Sequence, residues 1–206
     1  MISKKYAIAE INSLSRDDFV QIVGPVFEHS PWIAEATWPK RPFADLESLY
    51  HTLCQTVKAA SQEKQLALIR AHPDLVGRAA SKASKESPSP PTAPLSRSDS
   101  AREGGVGGEG QKSGTLTPQS SSEQATAGLD RLTADEIASF QNLNRAYRER
   151  FGFPFVICAR LNKKEAILGG FEKRLKNVRE QEIKTALDEI AKIAWLRLQD
   201  LIKNDK

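Results

Sequence analysis

Apolar residues in this chain recur at three- and four-residue steps almost throughout, and only one short run departs from that rhythm. Phe43 to Ala60 carries Leu46, Leu49, Tyr50, Leu53, Cys54 and Val57 at helical spacing. Ser15-Arg-Asp-Asp18, ahead of Phe19 to Val23, is a helix start with acids in its first turn. Gly24–Pro25 should break or bend that helix. Gln62 to Ala71 reads as another helix, stopped by Pro73. Thr133-Ala-Asp-Glu136 is a capping-box pattern opening a helix to about Arg150, with Ile137, Phe140, Leu143 and Tyr147 on one face. Lys163 to Lys176 and Arg179 to Lys203 are the last two helices. The exception is Phe153 to Ala159, an apolar run of strand type. A strand needs a partner, and no second run supplies one, so this segment is expected to be an extended connector. The chain is therefore expected to be all-α, a single-domain helical bundle spanning residues 1–206, without internal repeats.

One segment is foreign to this pattern. No aromatic residue occurs between Tyr50 and Phe140. Within that gap, Ala83 to Gly114 holds four prolines and six of the twelve glycines, and Leu95 and Val106 are its only apolar residues larger than alanine. Such a stretch buries too little apolar surface to offset chain entropy. It is expected to be a disordered loop insertion, which a fold tolerates because each doubling of loop length costs only about 0.6 kcal/mol. The Ser87–Pro88 and Ser89–Pro90 pairs leave a regulatory segment as the other reading.

Composition excludes several classes of function. With 39% hydrophobic residues the rest of the chain has material for a core. No run of about 18 apolar residues is present, so no membrane-spanning helix is expected. Met1 to Glu10 has no apolar signal region. Cys54 and Cys158 sit in apolar stretches and read as reduced core residues. His29, His51 and His72 show no metal-ligand spacing. A net charge of +4 suits an anionic small molecule and gives no argument for nucleic acid. Lys173, Arg174, Lys176 and Arg179 are followed by Glu180, Glu182, Asp188 and Glu189, a mixture expected of a solvated face.

Three features are not required by helix packing. His72 ends a helix just before Pro73, and Asp74 follows. The negative helix terminus and the aspartate would favour a protonated imidazole, poised to donate near neutral pH. The plain alternative is a C-terminal capping histidine. Ser120 and Glu123 fit a capping box, which also brings amides, a hydroxyl and a carboxylate together at a helix start. Arg197 falls on the apolar stripe of Ile183, Leu187, Ile190, Ala194 and Leu201. A buried arginine needs an anionic partner, internal or bound, unless its stem packs and its head reaches solvent.

In this order along the chain, the segments resemble a known family. The matching stretches are Phe27-Glu-His-Ser-Pro-Trp32, Arg41-Pro-Phe43, Arg70-Ala-His-Pro-Asp-Leu75 and Gly77-Arg78. They continue with Ser120-Ser-Ser-Glu-Gln124, Ala127-Gly-Leu129, Phe151-Gly-Phe-Pro-Phe-Val-Ile-Cys-Ala159, Arg174-Leu-Lys-Asn177 and Leu196-Arg-Leu198. Together they resemble 2-oxo-4-hydroxy-4-carboxy-5-ureidoimidazoline (OHCU) decarboxylases, enzymes of urate breakdown. The resemblance implies an all-α fold, no metal and no organic cofactor. It implies that OHCU is the small-molecule substrate and (S)-allantoin the product. It places the catalytic residues at His72, Glu123 and Arg197. It places substrate contacts at Pro73, at Ser120, Ser121, Ser122, Glu123 and Gln124, and along the main chain of Phe155, Val156, Ile157, Cys158 and Ala159. On this reading His72 is the acid/base group, Glu123 orients or deprotonates the substrate's polar edge, and Arg197 pairs with its anionic or carbonyl groups.

Two other functions stay open at this level: a non-catalytic helical interaction module of the same fold, and an enzyme acting on a related ureido compound. Binding of allantoin with a shift in a histidine pKa would separate the enzymes from the module. Nucleic acid and membrane are not expected partners. Members of the family are commonly homodimers, although no feature of the sequence itself shows it. Eukaryotic members of the family are often peroxisomal, but the ending Asn204-Asp-Lys206 lacks a Ser-Lys-Leu type address, which makes the cytoplasm the default location.

Overall fold

The computed structural model describes residues 4–77 and 116–203. The expected insertion, Ala83 to Gly114, lies outside the described residues. The helices in chain order are α1 (Ile8–Ser13), α2 (Arg16–Val23), α3 (Trp32–Thr37), α4 (Leu46–Ala59) and α5 (Gln62–Arg70). They continue as α6 (Pro118–Thr126), α7 (Ala134–Phe151), α8 (Lys164–Arg174) and α9 (Arg179–Leu201). Short 3₁₀ turns fill Gly24–Val26, Trp38–Lys40 and Ala159–Leu161. No strand forms among the described residues; one isolated parallel bridge ties Tyr6 to Ile202. Among them, too, no helix is long and apolar enough to cross a membrane.

Local chemistry accounts for most boundaries. Ser15 caps α2 by accepting from the Asp18 amide. Gly24–Pro25 turns the end of α2 into a 3₁₀ turn, because proline cannot donate the next helical bond. Thr133 and Glu136 form the full capping box of α7, and Gly152 closes that helix in the left-handed region at φ 78°. The short helices α1 and α3 have no counterpart in the apolar rhythm, since one or two turns are too few to establish a period. The capping box expected at Ser120 and Glu123 is corrected: Thr117 is the N-cap, with Pro118 opening the helix, and its side chain accepts from the Ser120 amide. Ser120 therefore stands inside α6, and Glu123 is released from capping.

The long helix α9 runs through the centre and packs on α4 and α5. Ile183, Ala186, Ile190, Ala194 and Leu198 are buried along it, and so is Arg197. Beside it lies an aromatic cluster of Phe140, Tyr147, Phe151, Phe153, Phe155 and Phe171. Each fully buried ring of this size contributes roughly 1.5–3 kcal/mol. Residues 153–158 run without helix or strand between α7 and α8, as an extended connector should.

The solvated face expected from the mixed charges of the last two helices is corrected in part. Arg174 and Glu182 are buried against each other, with Nη2 to Oε1 at 2.5 Å. The physical reason is that each finds a full set of partners, so neither needs water.

Candidate active site

Helix α5 ends with the His72 amide bonded to the Ile69 carbonyl at 3.2 Å, and the ring is buried. Its Nδ1 lies 2.9 Å from the Leu68 carbonyl oxygen. A carbonyl only accepts, so Nδ1 carries a proton and the neutral ring keeps its lone pair on Nε2. Burial pushes the His72 pKa down to about 4. The Leu68 carbonyl and the Glu28 charge favour the imidazolium, but they do not offset the loss of water. This corrects the expectation of a protonated, donating imidazole. Asp74 does not serve His72: its two carboxylate oxygens accept from Arg148 Nε on α7, at 2.9 and 3.0 Å.

The turn after His72 is held from three sides. The Val76 amide donates to Gln124 Oε1 at 3.1 Å, and Asn144 Nδ2 donates to the Leu75 carbonyl at 2.9 Å. The third side is the Asp74–Arg148 pair. Val76 has φ 66°, a left-handed conformation that a β-branched residue adopts at a cost of roughly 1–3 kcal/mol. His29, next to Glu28, is the other non-glycine residue with positive φ among the described residues, at 45°. Both strained positions adjoin the groups described next.

Arg197 is buried, as its place on the stripe suggested, and its partners are internal. Its Nε and Nη2 donate to the two oxygens of Glu123 at 2.8 and 2.7 Å. Nη1 donates to Glu28 Oε2 at 2.9 Å, and Nη2 also reaches the Ser120 hydroxyl at 3.1 Å. Longer bonds of 3.4 Å run from Nη1 to the Pro25 and Val26 carbonyls. One guanidinium therefore joins two carboxylates from different parts of the chain. Glu28 also accepts from the hydroxyls of Thr117 and Ser120, each at 2.8 Å. Burial raises the Glu28 pKa, but the Arg197 charge and the two hydroxyls outweigh it, and the net shift is downward.

Glu28 was not among the sequence-predicted site residues. The signal was present: a lone carboxylate between Val26-Phe27 and Trp32, inside one of the matching stretches. What could not be read was the partner, which lies at position 197.

These groups border one open pocket with about 390 Å³ of empty space. His72, Pro73 and Leu75 form one side; Ser120, Glu123 and Gln124 form another; Arg197 and Ile193 belong to α9. Phe155, Val156, Ile157 and Ala159 of the connector complete the wall. The structure thus brings together nine of the predicted site residues with Arg197 and leaves three outside the wall: Ser121, Ser122 and Cys158. The first two follow from helix geometry, since positions 120, 123 and 124 share a face of α6 and 121 and 122 do not. Cys158 turns its amide to Glu189 Oε2 at 2.8 Å. Among the described residues, no three His, Cys, Asp or Glu side chains converge as metal ligands would.

Comparison with known proteins agrees with this arrangement of elements. The family model described as OHCU decarboxylase matches residues 12–100 and 104–199. The chain is 35% identical over 197 residues to the 2-oxo-4-hydroxy-4-carboxy-5-ureidoimidazoline decarboxylase of Halalkalicoccus jeotgali, covering 96% of this chain and 92% of that protein. It is 38% identical over 194 residues to the protein of the same name from Amia calva, covering 94% and 93%. Among solved structures, the crystal structure of (S)-allantoin synthase shares the fold at a TM-score of 0.64 and 23% identity. That match covers 95% of this chain and 54% of the solved one, so the present chain spans about half of that protein.

Proposed function

Since the chain belongs to the OHCU decarboxylase family, we propose that it converts OHCU to (S)-allantoin and carbon dioxide in the His72 pocket. The observation that carries the assignment of the site is the convergence of a neutral, buried histidine, a carboxylate and a buried guanidinium on one pocket wall.

The substrate's name states the chemical problem. One ring carbon carries both a carboxylate and a hydroxyl, and the neighbouring carbon carries the ureido group. Breaking the carbon–carboxylate bond releases carbon dioxide and leaves an electron pair, which the adjoining carbon–nitrogen double bond of the ring accepts. The hydroxyl then loses its proton and becomes a carbonyl, and the ureido-bearing carbon gains one. The ring nitrogen that received the electron pair takes a proton from solvent, so the carboxylate substrate loses carbon dioxide and gains one proton overall. A neutral imidazole with a free Nε2 lone pair is suited to take the hydroxyl proton and return it to carbon. It starts and ends the cycle neutral, as its lowered pKa requires. Return of the proton from one fixed side gives one enantiomer.

Glu123 reaches the pocket with both oxygens already held by Arg197, which fixes its direction toward substrate N–H groups. The Arg197 nitrogens are engaged within the protein, so its role is to orient Glu123 and to place positive charge behind the pocket. The connector offers main-chain groups to the ureido edge. A homodimer, as is common in the family, is the expected assembly, and sedimentation tests it.

The experiment is to make OHCU fresh from urate with urate oxidase and hydroxyisourate hydrolase, add the protein, and follow circular dichroism. Rapid formation of (S)-allantoin is expected, and its loss in folded His72→Ala and His72→Asn variants. Racemic allantoin at the rate seen without protein would reject the activity; near-normal turnover by either variant would reject the role of His72.

A further inference from the structure

Arg174 and Glu182 take no part in the pocket, yet they form the second fully partnered buried ion pair of the molecule among the described residues. Arg174 Nε donates to Glu182 Oε1 at 2.6 Å. Tyr147 donates its hydroxyl to the same oxygen in a short bond, and Asn177 Nδ2 donates to Oε2 at 2.7 Å. Arg174 Nη2 reaches the Tyr147 hydroxyl at 3.3 Å, and Nη1 donates to the Val156 carbonyl at 2.7 Å. The guanidinium also lies 4.3 Å from the centre of the Phe155 ring, which stacks on Phe171 at 3.7 Å and meets Tyr147 edge-on at 5.2 Å. Helix α8 passes this strip at Gly170, where a Cβ would make ordinary contact, 3.4 Å from the Phe155 ring and 3.7 Å from Ile157.

Val156 belongs to the pocket wall, and so does Ile157. Two residues on from Val156, the Cys158 amide is held by Glu189 Oε2 at 2.8 Å. In an extended chain, the main-chain groups of alternate residues share an edge. The carbonyl of Val156 and the amide of Cys158 are therefore fastened along one edge, toward α8 and α9. The N–H and C=O of Ile157 belong to the opposite edge, and neither is hydrogen-bonded among the described residues.

Resting on the reading of the pocket given above, we infer that Arg174 is a positioning residue for substrate binding. Together with Glu182, and with Glu189 further along, it fastens one edge of the connector so that Ile157 presents a donor and an acceptor to the substrate's ureido group. An N–H beside a C=O matches a urea edge, which offers the complementary pair. A buried ion pair adds little stability over apolar packing of the same volume. What the guanidinium adds is direction: a bond to one carbonyl and a flat face on one ring.

The test uses the full chain with Arg174→Lys, Glu189→Ala and Tyr147→Phe. Lysine keeps the charge beside Glu182 but has no planar fork to reach carbonyl and carboxylate together. Arg174→Lys should raise KM for OHCU about tenfold and leave kcat within about twofold, the pattern of lost uniform binding. Glu189→Ala, which opens the same edge near the surface, should raise KM in the same way and carries the test if Arg174→Lys does not fold. Tyr147→Phe should lower Tm and leave KM unchanged. In the ligand-free protein, the ¹⁵N-labelled amide of Ile157 should move in Arg174→Lys and Glu189→Ala and stay in place in Tyr147→Phe. A wild-type KM with an unmoved Ile157 amide would overturn the inference, as would equal KM increases in all three variants. If the wild type does not turn over OHCU, the reading of the pocket fails by itself, and the Ile157 amide still reports whether Arg174 holds the strip.

Discussion

The molecule contains two buried arginines that use the same chemistry to different ends. Arg197 and Arg174 each give a forked pair of donors to a carboxylate, and each reaches main-chain carbonyl oxygen as well. The first stands at the pocket and faces a second carboxylate in Glu28. The second is closed off behind the wall, faces one carboxylate, and lies against Phe155 and Tyr147. The difference separates two uses of burial. At Arg197 an excess of carboxylate leaves the cluster responsive to charge brought by a ligand. At Arg174 one carboxylate balances the charge, Nη1 holds the Val156 carbonyl, and the product is a fixed backbone.

The largest expected effect breaks this comparison through stability. Removing one member of a buried pair costs on the order of 3–5 kcal/mol, because the other charge is left unpaired. Arg197→Met strands two carboxylates, whereas Arg174→Met leaves Glu182 with Tyr147 and Asn177 still bonded to it. Urea denaturation at pH 7 should therefore show Arg197→Met as the less stable variant. Its deficit should shrink toward pH 5: without the arginine, only the Thr117 and Ser120 hydroxyls oppose burial, so the Glu28 pKa rises and protonation relieves the stranded charge. Equal losses, or a deficit that ignores pH, would show that the two clusters are equivalent.

The contrast also explains what could be read from the sequence. Arg197 was legible because an arginine on an apolar stripe has no solvent to reach. Arg174 was not: it ends a helix beside Lys173 and Lys176, where basic residues are normally solvated, and nothing local marks Glu182 as its partner. The long helices were legible because caps such as Ser15 and Thr133 act within one turn. The Ser120–Glu123 spacing misled for the same reason. Thr117 sits three residues earlier, directly before Pro118 at the first helical position, and it is the cap; Ser120 and Glu123 are left for contacts with Glu28 and Arg197. The charge state of His72 was out of reach, because burial is a property of the whole fold.

The next effect follows from that charge state. Folding lowers the His72 pKa from about 6.5 to about 4, so the unfolded chain binds the extra proton between those values. The stability gained by keeping His72 neutral is full above pH 6.5 and is lost as pH falls toward 4. The loss is on the order of 3 kcal/mol at most. Denaturation of the wild type and His72→Asn across pH 4–7 should show this slope in the wild type alone. In the same pH series, kcat/KM should hold its plateau below pH 6 and fall only as the pH approaches 4. An acid limb near 6.5 would mean that His72 titrates like an exposed histidine.

Glu28 sharpens the pocket half of the comparison. Glu28→Gln keeps an acceptor for Ser120 and Thr117 but removes the charge facing Arg197. Since Glu28 favours the imidazolium and Arg197 opposes it, both consequences push the His72 pKa lower. Turnover should drop about tenfold, or about 1.4 kcal/mol. NMR titration of the imidazole should move to lower pH even without substrate. An unchanged titration would separate Glu28 from the site.

The smallest effect compares two helix caps of identical chemistry. Thr117 caps α6 and Thr133 caps α7, each accepting an amide three residues on. Either change to alanine should cost about 1 kcal/mol of stability. The caps differ in where else the hydroxyl points. That of Thr117 donates to Glu28 at 2.8 Å, whereas Thr133 completes a box with Glu136 away from the pocket. Thr117→Ala should therefore lose activity beyond its stability loss, through a looser Glu28 and Arg197, and Thr133→Ala should keep wild-type turnover. Measuring both at equal fractions folded isolates the contribution of one hydroxyl to the site. Matched activities would mean that the first turn of α6 holds its geometry without Thr117, and that Glu28 and Arg197 suffice to place Glu123.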